Sequence, residues 1–450
     1  MNRRHFVCFV LAWICLTSLG VGQDRGKTFG PYLYEPKLEG EPFAPFNPRL
    51  APEPGDLLLR PGDRLAICGD SITEQKMYSR IIETYLTVCE PDLEIAVRQL
   101  GWSGEKTDGF LRRMEQDCLT FEPTVATLAY GMNDSRYRPF DVNNGRWYED
   151  HYTAIVRKFK DNDVRVVVGS PGCTGKIASW VNSREGTLRE HNLNLCALRD
   201  IALGLAEREQ VRFADIFWPM YQAQHLAPAL HGATEDHPYE VAGRDGVHPG
   251  WAGHTLMAYT FLRSLGLKGD LGTIEVDLAN QKASGKGGHE VQGMVDGQLT
   301  IISSRYPFCA AGDLHSDGSI NSGMTLVPFA DKLNRLTLKL GKPDPGEYRV
   351  TWGDKTHKFS AEQLAEGINL AKEFPENPFG PAFRRVDEAV ARKQAYETEQ
   401  IKQRFHSKEA KQDFASVVQQ TEAVRQPLVE AIAEAFQPVQ HHLKIEYISK

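Results

Sequence analysis

The sequence contains no Cys-x-x-Cys motif, no His-x-His pair and no Gly-x-Ser-x-Gly motif, and past residue 22 it has no apolar run long enough to cross a bilayer. The first two absences leave no zinc-finger or thioredoxin-like spacing, so neither a metal nor another cofactor is expected. The third removes the strand-turn-helix elbow on which α/β-hydrolases carry their serine. The fourth leaves no integral membrane segment in the mature chain. Basic charge is also short, with 52 Lys and Arg against 59 Asp and Glu. A nucleic-acid partner needs a basic face, and that surplus of acid excludes one. A phosphate loop is missing as well. Val164 to Ile177 resembles one after a strand, but five residues separate Gly169 from Gly175 and Ile177 follows Lys176. The motif requires four residues and then Ser or Thr, so this stretch reads as a rim loop.

What is present begins with Met1-Asn-Arg-Arg4, an apolar run from Phe6 to Leu16 and small residues at Gly20 to Gly22. That is the pattern of a secretory signal peptide over 1–22, which predicts export to the periplasm or the extracellular space. Its removal leaves a net charge of −9 and six scattered cysteines, for which at most one disulfide is expected: Cys68 falls in a strand pattern, Cys89 and Cys196 in helical ones. Seven prolines between 23 and 54 exclude regular helix or central strand and predict an extended lead-in, free or laid over the rest. From Arg64 the pattern alternates. Apolar, β-branched runs at 65–69, 93–98, 124–130, 164–169 and 211–217 are separated by helical periodicities such as Met77 to Leu86, and a further helix is predicted over Trp251 to Leu265. Near-continuous apolar strands between helices imply an α/β fold, a three-layer α/β/α sandwich around a five-stranded parallel sheet.

The first strand stops at Gly69-Asp70-Ser71, which puts a hydroxyl at the carboxyl end of a sheet and beside a helix start. Far downstream, Asp245 and His248 lie three residues apart in Gly243-Arg-Asp-Gly-Val-His-Pro-Gly250. A hydroxyl needs a base to become a nucleophile, and the base needs a third group to fix its tautomer; Ser71, His248 and Asp245 supply the three types. Ligands of such sheets bind at the carboxyl ends of the strands, and Ser71, Gly104 and Asn133 follow strands one, two and three.

Four blocks in order resemble the SGNH/GDSL hydrolase family: Gly69-Asp70-Ser71-Ile72, Gly101-Trp-Ser-Gly104-Glu, Gly131-Met-Asn133-Asp134 and Asp245-Gly-Val-His248. The resemblance covers about residues 60 to 266. It implies a flavodoxin-like SGNH fold with Ser71 as nucleophile, His248 as base and Asp245 as its partner. The N–H groups of Ser71 and Gly104 and the side-chain amide of Asn133 would form the oxyanion hole. Ile72 stands where the family usually has Leu, and Leu100 where Asn often precedes the glycine.

The remainder is read as additions. Trp218 to Gly243 is expected to be a long substrate-side loop carrying His225, His231 and His237, whose spacing of six suits no metal. Residues 271–360 lose the alternation and read as short strands, with 336–340 and 348–352 forming a hairpin around Pro343-Asp-Pro-Gly346 and a polar loop at Asp313, His315 and Asp317. From Arg384 to Phe436, apolar positions at Ile401, Phe405, Phe414, Val418, Leu428, Ile432 and Phe436 predict an antiparallel helical hairpin interrupted at Pro427. The expected organisation is therefore signal peptide 1–22, lead-in 23–54, catalytic domain 55–268, small β-rich domain 269–372 and helical C-terminal region 373–450. The expected activity is that of an exported serine esterase acting through an acyl-enzyme on a small-molecule or carbohydrate ester. Export, Trp102 as a substrate-binding aromatic and the lack of an apolar surface helix favour a short acyl group, acetyl, on a carbohydrate. A lipase, lysophospholipase or acyltransferase at the same site is the rival enzyme. A non-catalytic carbohydrate-binding or envelope protein is the rival of another class.

Overall fold

A computed structural model describes residues 33–181, 185–310 and 312–449. The signal peptide expected over 1–22 and the first ten residues of the lead-in lie outside the described residues. The central sheet has five parallel strands in the order β2-β1-β3-β4-β5: β1 Arg64–Gly69, β2 Ala96–Gly101, β3 Val125–Ala129, β4 Arg165–Gly169 and β5 Arg212–Ala214. Between and after them run α1 Ser71–Glu74, α2 Tyr78–Cys89, α3 Thr107–Asp117, α4 Val142–Lys160, α5 Leu188–Glu209, α6 Phe217–Leu230 and α7 Trp251–Ser264.

Successive side chains of a strand point to opposite faces, and each face of this sheet is apolar. Leu65, Ile67, Val125 and Val167 pack with residues of α2, α6 and α7; Ala66, Cys68, Ala126, Leu128 and Val168 pack with residues of α3, α4 and α5. This is the predicted sandwich. All six described cysteines are buried free thiols. No helix among the described residues is long and apolar enough to cross a membrane.

Three boundaries moved. The second strand starts at Ala96 because Pro91 opens a 3-10 turn over Pro91–Leu93 and Glu94 takes φ +49°, which breaks the extended run. The fifth strand ends at Ala214: the Ser170 hydroxyl accepts the N–H groups of Ile216 and Phe217 and Asp215 accepts that of Trp218, so the chain turns at once into α6. The loop expected from Trp218 is therefore helical as far as Leu230, and its aromatic face receives the lead-in. Phe43 and Phe46 are buried against Phe217, Trp218 and Tyr221, and the Arg49 carbonyl and N–H bind Arg199 and Asp200 of α5. The described part of the lead-in is thus laid over the sandwich.

Beyond α7 lie two further sheets. One has the order β13-β10-β6-β7 and the other β12-β11-β14-β9-β8. Their strands are β6 Asp270–Asp277, β7 Lys282–Lys286, β8 His289–Val295, β9 Gln298–Ser303, β10 Arg335–Leu340, β11 Glu347–Trp352, β12 Lys355–Ser360, β13 Ile368–Asn369 and β14 Val439–Ser449; short helices α8 Ile320–Gly323, α9 Phe329–Leu333, α10 Ala361–Glu366 and α11 Leu370–Glu373 join them. The hairpin expected around Pro343–Gly346 is not formed. Its two arms, β10 and β11, belong to different sheets: β10 runs parallel to β6 while β11 pairs with β12 and β14. Long-range pairing overrode the local pattern that suggested the hairpin.

The predicted helical hairpin is α12 Gly380–Glu399 against α14 Phe414–Ala435, joined by a π-helical turn Gln400–Arg404 and α13 Lys408–Gln412. Contacts from Gln400 to Thr421 and from Glu397 to Arg425 make the pair antiparallel. Pro427 sits inside α14 instead of ending it. The C-terminal region is also not helical to its end, because β14 returns to the second sheet between β11 and β9. Alternation of buried Leu443 and Ile445 with more exposed neighbours marks that strand.

Candidate active site

β1 delivers the chain to Asp70, whose carboxylate accepts the Ile72 N–H at 2.9 Å and so caps α1. Ser71 is the first residue of that helix. Its Oγ lies 2.8 Å from Nε2 of His248, and Nδ1 of His248 lies 2.7 Å from Oδ2 of Asp245. The other oxygen of Asp245 accepts the N–H groups of Val247 and His248 at 2.9 and 2.8 Å. Burial raises the Asp245 pKa, but those N–H groups and the imidazole outweigh it and hold the carboxyl below its usual range. Such an ionised partner fixes the imidazole with its proton on Nδ1 and leaves Nε2 to accept from the serine.

The loop that carries Asp245 and His248 is tightly wound. Gly243 has φ +88°, and a Cβ there would stand 1.8 Å from the His248 carbonyl oxygen, so only glycine fits. The Gly175 N–H donates to the Gly246 carbonyl at 2.9 Å, so the stretch that resembled a phosphate loop is a rim loop bracing the loop of Asp245 and His248. Asp317, in the polar loop singled out by sequence, accepts the Glu240 and Ala252 N–H groups through its carboxylate and carbonyl respectively. It braces the same loop from the other side.

Gly104 and Asn133 reach the same rim. Gly104 has φ +73° and nothing within 4 Å of its Cβ position. Asn133 Nδ2 donates to the Glu105 carbonyl at 3.1 Å and, more loosely, to Asp70 at 3.4 Å, while its Oδ1 accepts from the Tyr137 hydroxyl at 3.0 Å. Burial is the main cause that lifts the Asp70 carboxyl to about 7, opposed by the Ile72 N–H and reinforced by Asp134 and Glu105. Asp134, buried at about 6 for the same reason, holds Thr107 and the Gly131 N–H. Trp102 does not stand free in the cleft. Its ring is half-buried between the Arg113 guanidinium, the Lys402 ammonium and the edge of His406.

Several residues that the sequence did not single out complete the site. His254 accepts the Tyr78 N–H on Nδ1 at 3.3 Å, which puts its proton on Nε2, 3.1 Å from the Gln75 carbonyl oxygen; the Gln75 amide then donates to the Pro249 carbonyl. Burial drives the His254 imidazole down to about 3, so this prop of the loop before α7 stays neutral. Trp180, 52% exposed, lies with its ring 5.8 Å from that of His248 and edge-on to Tyr137. The pattern of apolar periods could not have found it, because Trp180 lies in an irregular loop. His225, His231 and His237 take no part: His225 packs on Phe43 and Tyr221, His231 stacks on Tyr239, and no cluster of three potential metal ligands exists among the described residues.

A parallel sandwich with a Ser-His-Asp chain at the carboxyl ends of its strands has the architecture of a serine hydrolase. The sequence profile of the GDSL-like Lipase/Acylhydrolase family matches residues 67–256. The protein is accordingly an ester-hydrolysing serine hydrolase. A gut microbial diltiazem-metabolizing enzyme shares the fold over 87% of this chain and 98% of its own, at 20% identity and a TM-score of 0.67. A catalytic mutant of an acetylxylan esterase from Geobacillus stearothermophilus matches 47% of this chain and 97% of its own, at 21% identity and a TM-score of 0.38. An alpha/beta hydrolase enzyme from the metagenome of Lake Arreo, Spain, matches 47% and 98%, at 20% identity and 0.37. No curated protein matches the chain.

Proposed function

We propose that this protein is an exported esterase that removes short acyl groups, acetyl above all, from carbohydrates, with Ser71 as nucleophile, His248 as base and Asp245 as its orienting partner. The continuous hydrogen-bonded chain from Ser71 Oγ through His248 to Asp245 carries this reading. His248 takes the serine proton as Oγ attacks the ester carbonyl, then returns it to the departing alcohol, and water reverses the sequence on the acyl-enzyme. The N–H groups of Ser71 and Gly104 and the Asn133 amide receive the oxyanion. Both protons of that amide are engaged, and the longer bond, to Asp70, is the one the oxyanion replaces.

The alcohol must leave beside His248, where the exposed ring of Trp180 offers a flat apolar surface with a polar surround. That surface suits a sugar ring, and export would bring the enzyme to polysaccharide. Trp102, held under Lys402 and His406, belongs to the wall on the oxyanion side. The test is turnover of acetyl, butyryl and longer aryl esters and of acetylated polysaccharides by the mature protein, beside Ser71→Ala. The expected result is fastest turnover of acetyl esters, on polysaccharide as well as aryl alcohols, and none by Ser71→Ala. Preference for long acyl chains would overturn the substrate, and a turning-over Ser71→Ala the mechanism.

A further inference from the structure

The C-terminal hairpin touches the sandwich close to the nucleophile. Glu74 is the last residue of α1, the helix that Ser71 begins. Its carboxylate accepts the Ser103 N–H, the residue immediately before Gly104, and both of its oxygens bind the Lys402 ammonium, at 2.7 and 2.8 Å. Lys402 belongs to the π-helical turn at the tip of the hairpin. Lys76, the other nearby cation, is directed to the Glu74 main-chain carbonyl instead.

The loop from Trp102 to Glu105 is fixed on both sides of Gly104 but not at Gly104 itself. Downstream, Glu105 is buried and held by both arms of Arg113 and by the Tyr130 hydroxyl. Upstream, the Trp102 N–H donates to the Gly69 carbonyl, its ring lies beneath Lys402 and His406, and Ser103 hangs on Glu74. His406 is in turn anchored on the buried Asp117 at the end of α3. Gly104 has open space around it and a backbone conformation that no side chain stiffens, so its N–H points where its two neighbours aim it.

We propose that Lys402 is a positioning residue for ester hydrolysis: through Glu74 it fixes Ser103 and thereby the Gly104 N–H, which makes the C-terminal hairpin part of the catalytic apparatus. This rests on the reading of Gly104 as an oxyanion donor given above. Two effects act together. The ion pair holds a preorganised donor in register, and preorganisation is what gives such donors their value in the transition state. It also neutralises a carboxylate one helical turn from Ser71, which would otherwise oppose the negative charge growing on the carbonyl oxygen. Both effects act on the transition state more than on bound substrate, so both fall on kcat.

Lys402 is not what attaches the hairpin. Buried contacts of Lys393, Glu397 and Arg425 do that, whereas the Lys402 side chain retains 28% exposure and a pair of that kind contributes little to stability. In Lys402→Met the apolar stem still covers Trp102 and only the charge is lost. On an aryl acetate its kcat should fall roughly 10- to 100-fold, as expected for a misplaced catalytic donor. KM should stay within about threefold of wild type and the urea midpoint should be nearly unchanged. Lys402→Arg should recover most of the rate. Glu74→Gln should lose rate by itself, and adding Lys402→Met to it should cost little more, because the two act as a unit. Wild-type kcat in Lys402→Met overturns the proposal. So does a rate loss that Lys402→Arg leaves unrestored, or one that tracks a fall in the urea midpoint. Ser71→Ala run in parallel separates this failure from that of the parent reading: a dead Ser71→Ala beside an unimpaired Lys402→Met sinks only the role of Lys402.

Discussion

The catalytic sandwich and the C-terminal hairpin bury their shared boundary by opposite means. Inside the sandwich, Leu65, Ile67, Val125, Leu128 and Val168 meet apolar helix faces, and neighbouring strands pair with one another. At the outer strand β2, which has a sheet neighbour on one side only, the hairpin supplies charges. The Glu397 carboxylate accepts the Gln99 N–H, and Lys393 and Arg425 donate to the Val97 carbonyl, so side chains of α12 and α14 finish the hydrogen bonding of a sheet edge. An uncovered edge is a template for aggregation, and a helix laid along it is a standard remedy. Here the helix also brings a network of buried ions: Lys393 pairs with Glu83 and Glu397, Arg425 with Glu397, and Arg98 with Glu422. Burial pushes the Glu83 carboxyl up, whereas three cations facing Glu397 hold it down despite its burial. A core is legible as periodicity; a charged seam is not.

The largest effect should fall where neither seam nor core is involved. Removal of Ser71 or His248 should lower kcat by about 10⁴- to 10⁶-fold, roughly 5 to 8 kcal/mol, with little change in stability. A fluorophosphonate should label wild type at Ser71 and leave Ser71→Ala unlabelled. Label recovered on a serine of the β sheets or the hairpin would move the chemistry out of the sandwich.

Next in size is the seam itself. Lys393→Met strands Glu83 in a buried site while Glu397 keeps Arg425, and breaking a buried pair in this way typically costs about 3 to 5 kcal/mol. Adding Glu83→Gln removes the stranded charge and should restore much of the loss. Urea unfolding of the two variants measures both steps. A loss below about 1 kcal/mol in Lys393→Met, the range of surface pairs, would mean that apolar contacts hold the hairpin and would erase the contrast between the regions.

A third prediction concerns a single donor. Asn133→Ala should lose about 3 kcal/mol of transition-state stabilisation, or 10²- to 10³-fold in kcat, while KM and the unfolding midpoint change little. A variant that unfolds early yet keeps kcat while folded would make Asn133 a turn residue, in keeping with its bond to the Glu105 carbonyl.

These sites differ in how plainly the sequence announced them. The strands of the sandwich could be read because apolar residues repeat along them, and Ser71, His248 and Asp245 because their types and the glycines around them suit one chemistry; the structure brings all three into one chain of hydrogen bonds. Lys393, Glu397 and Arg425 went unmarked among the many charges of that region, since a charge in sequence carries no sign of burial. The partner of β10 and the destination of β14 were illegible for another reason: pairing across more than sixty residues in the first case and more than a hundred in the second leaves no local trace. Lys402 combines both obstacles, being a lysine among lysines and more than three hundred residues from Glu74.

The last prediction turns on pH, where the buried histidines of the β sheets and the buried carboxyls Asp70 and Asp134 of the sandwich respond with opposite sign. In the β sheets a buried chain joins five strands: the Trp352 indole donates to His441 Nδ1, His441 Nε2 to Ser303, the Ser303 hydroxyl to His289 Nδ1, and His289 Nε2 to the Leu271 carbonyl. Every ring nitrogen is used in its neutral form. Burial, with Arg305 facing His289 and with His289 and His442 facing His441, lowers the two imidazoles to about 4 and 3. A folded pKa below the unfolded value of about 6.5 means that the unfolded chain binds more protons between the two, so stability falls as pH drops from about 6.5 toward 4. Asp70 and Asp134 act the other way: their raised carboxyls, at about 7 and 6, favour the fold at low pH, and that contribution is lost as pH rises through those values. The double variant His289→Asn, His441→Asn should be less stable at pH 8 by about 1 to 3 kcal/mol, the cost of unsatisfied buried partners, and should lose less on acidification than wild type does. Urea midpoints measured from pH 8 to pH 4.5 test this directly. An acid slope equal to that of wild type would remove the histidine chain as its source.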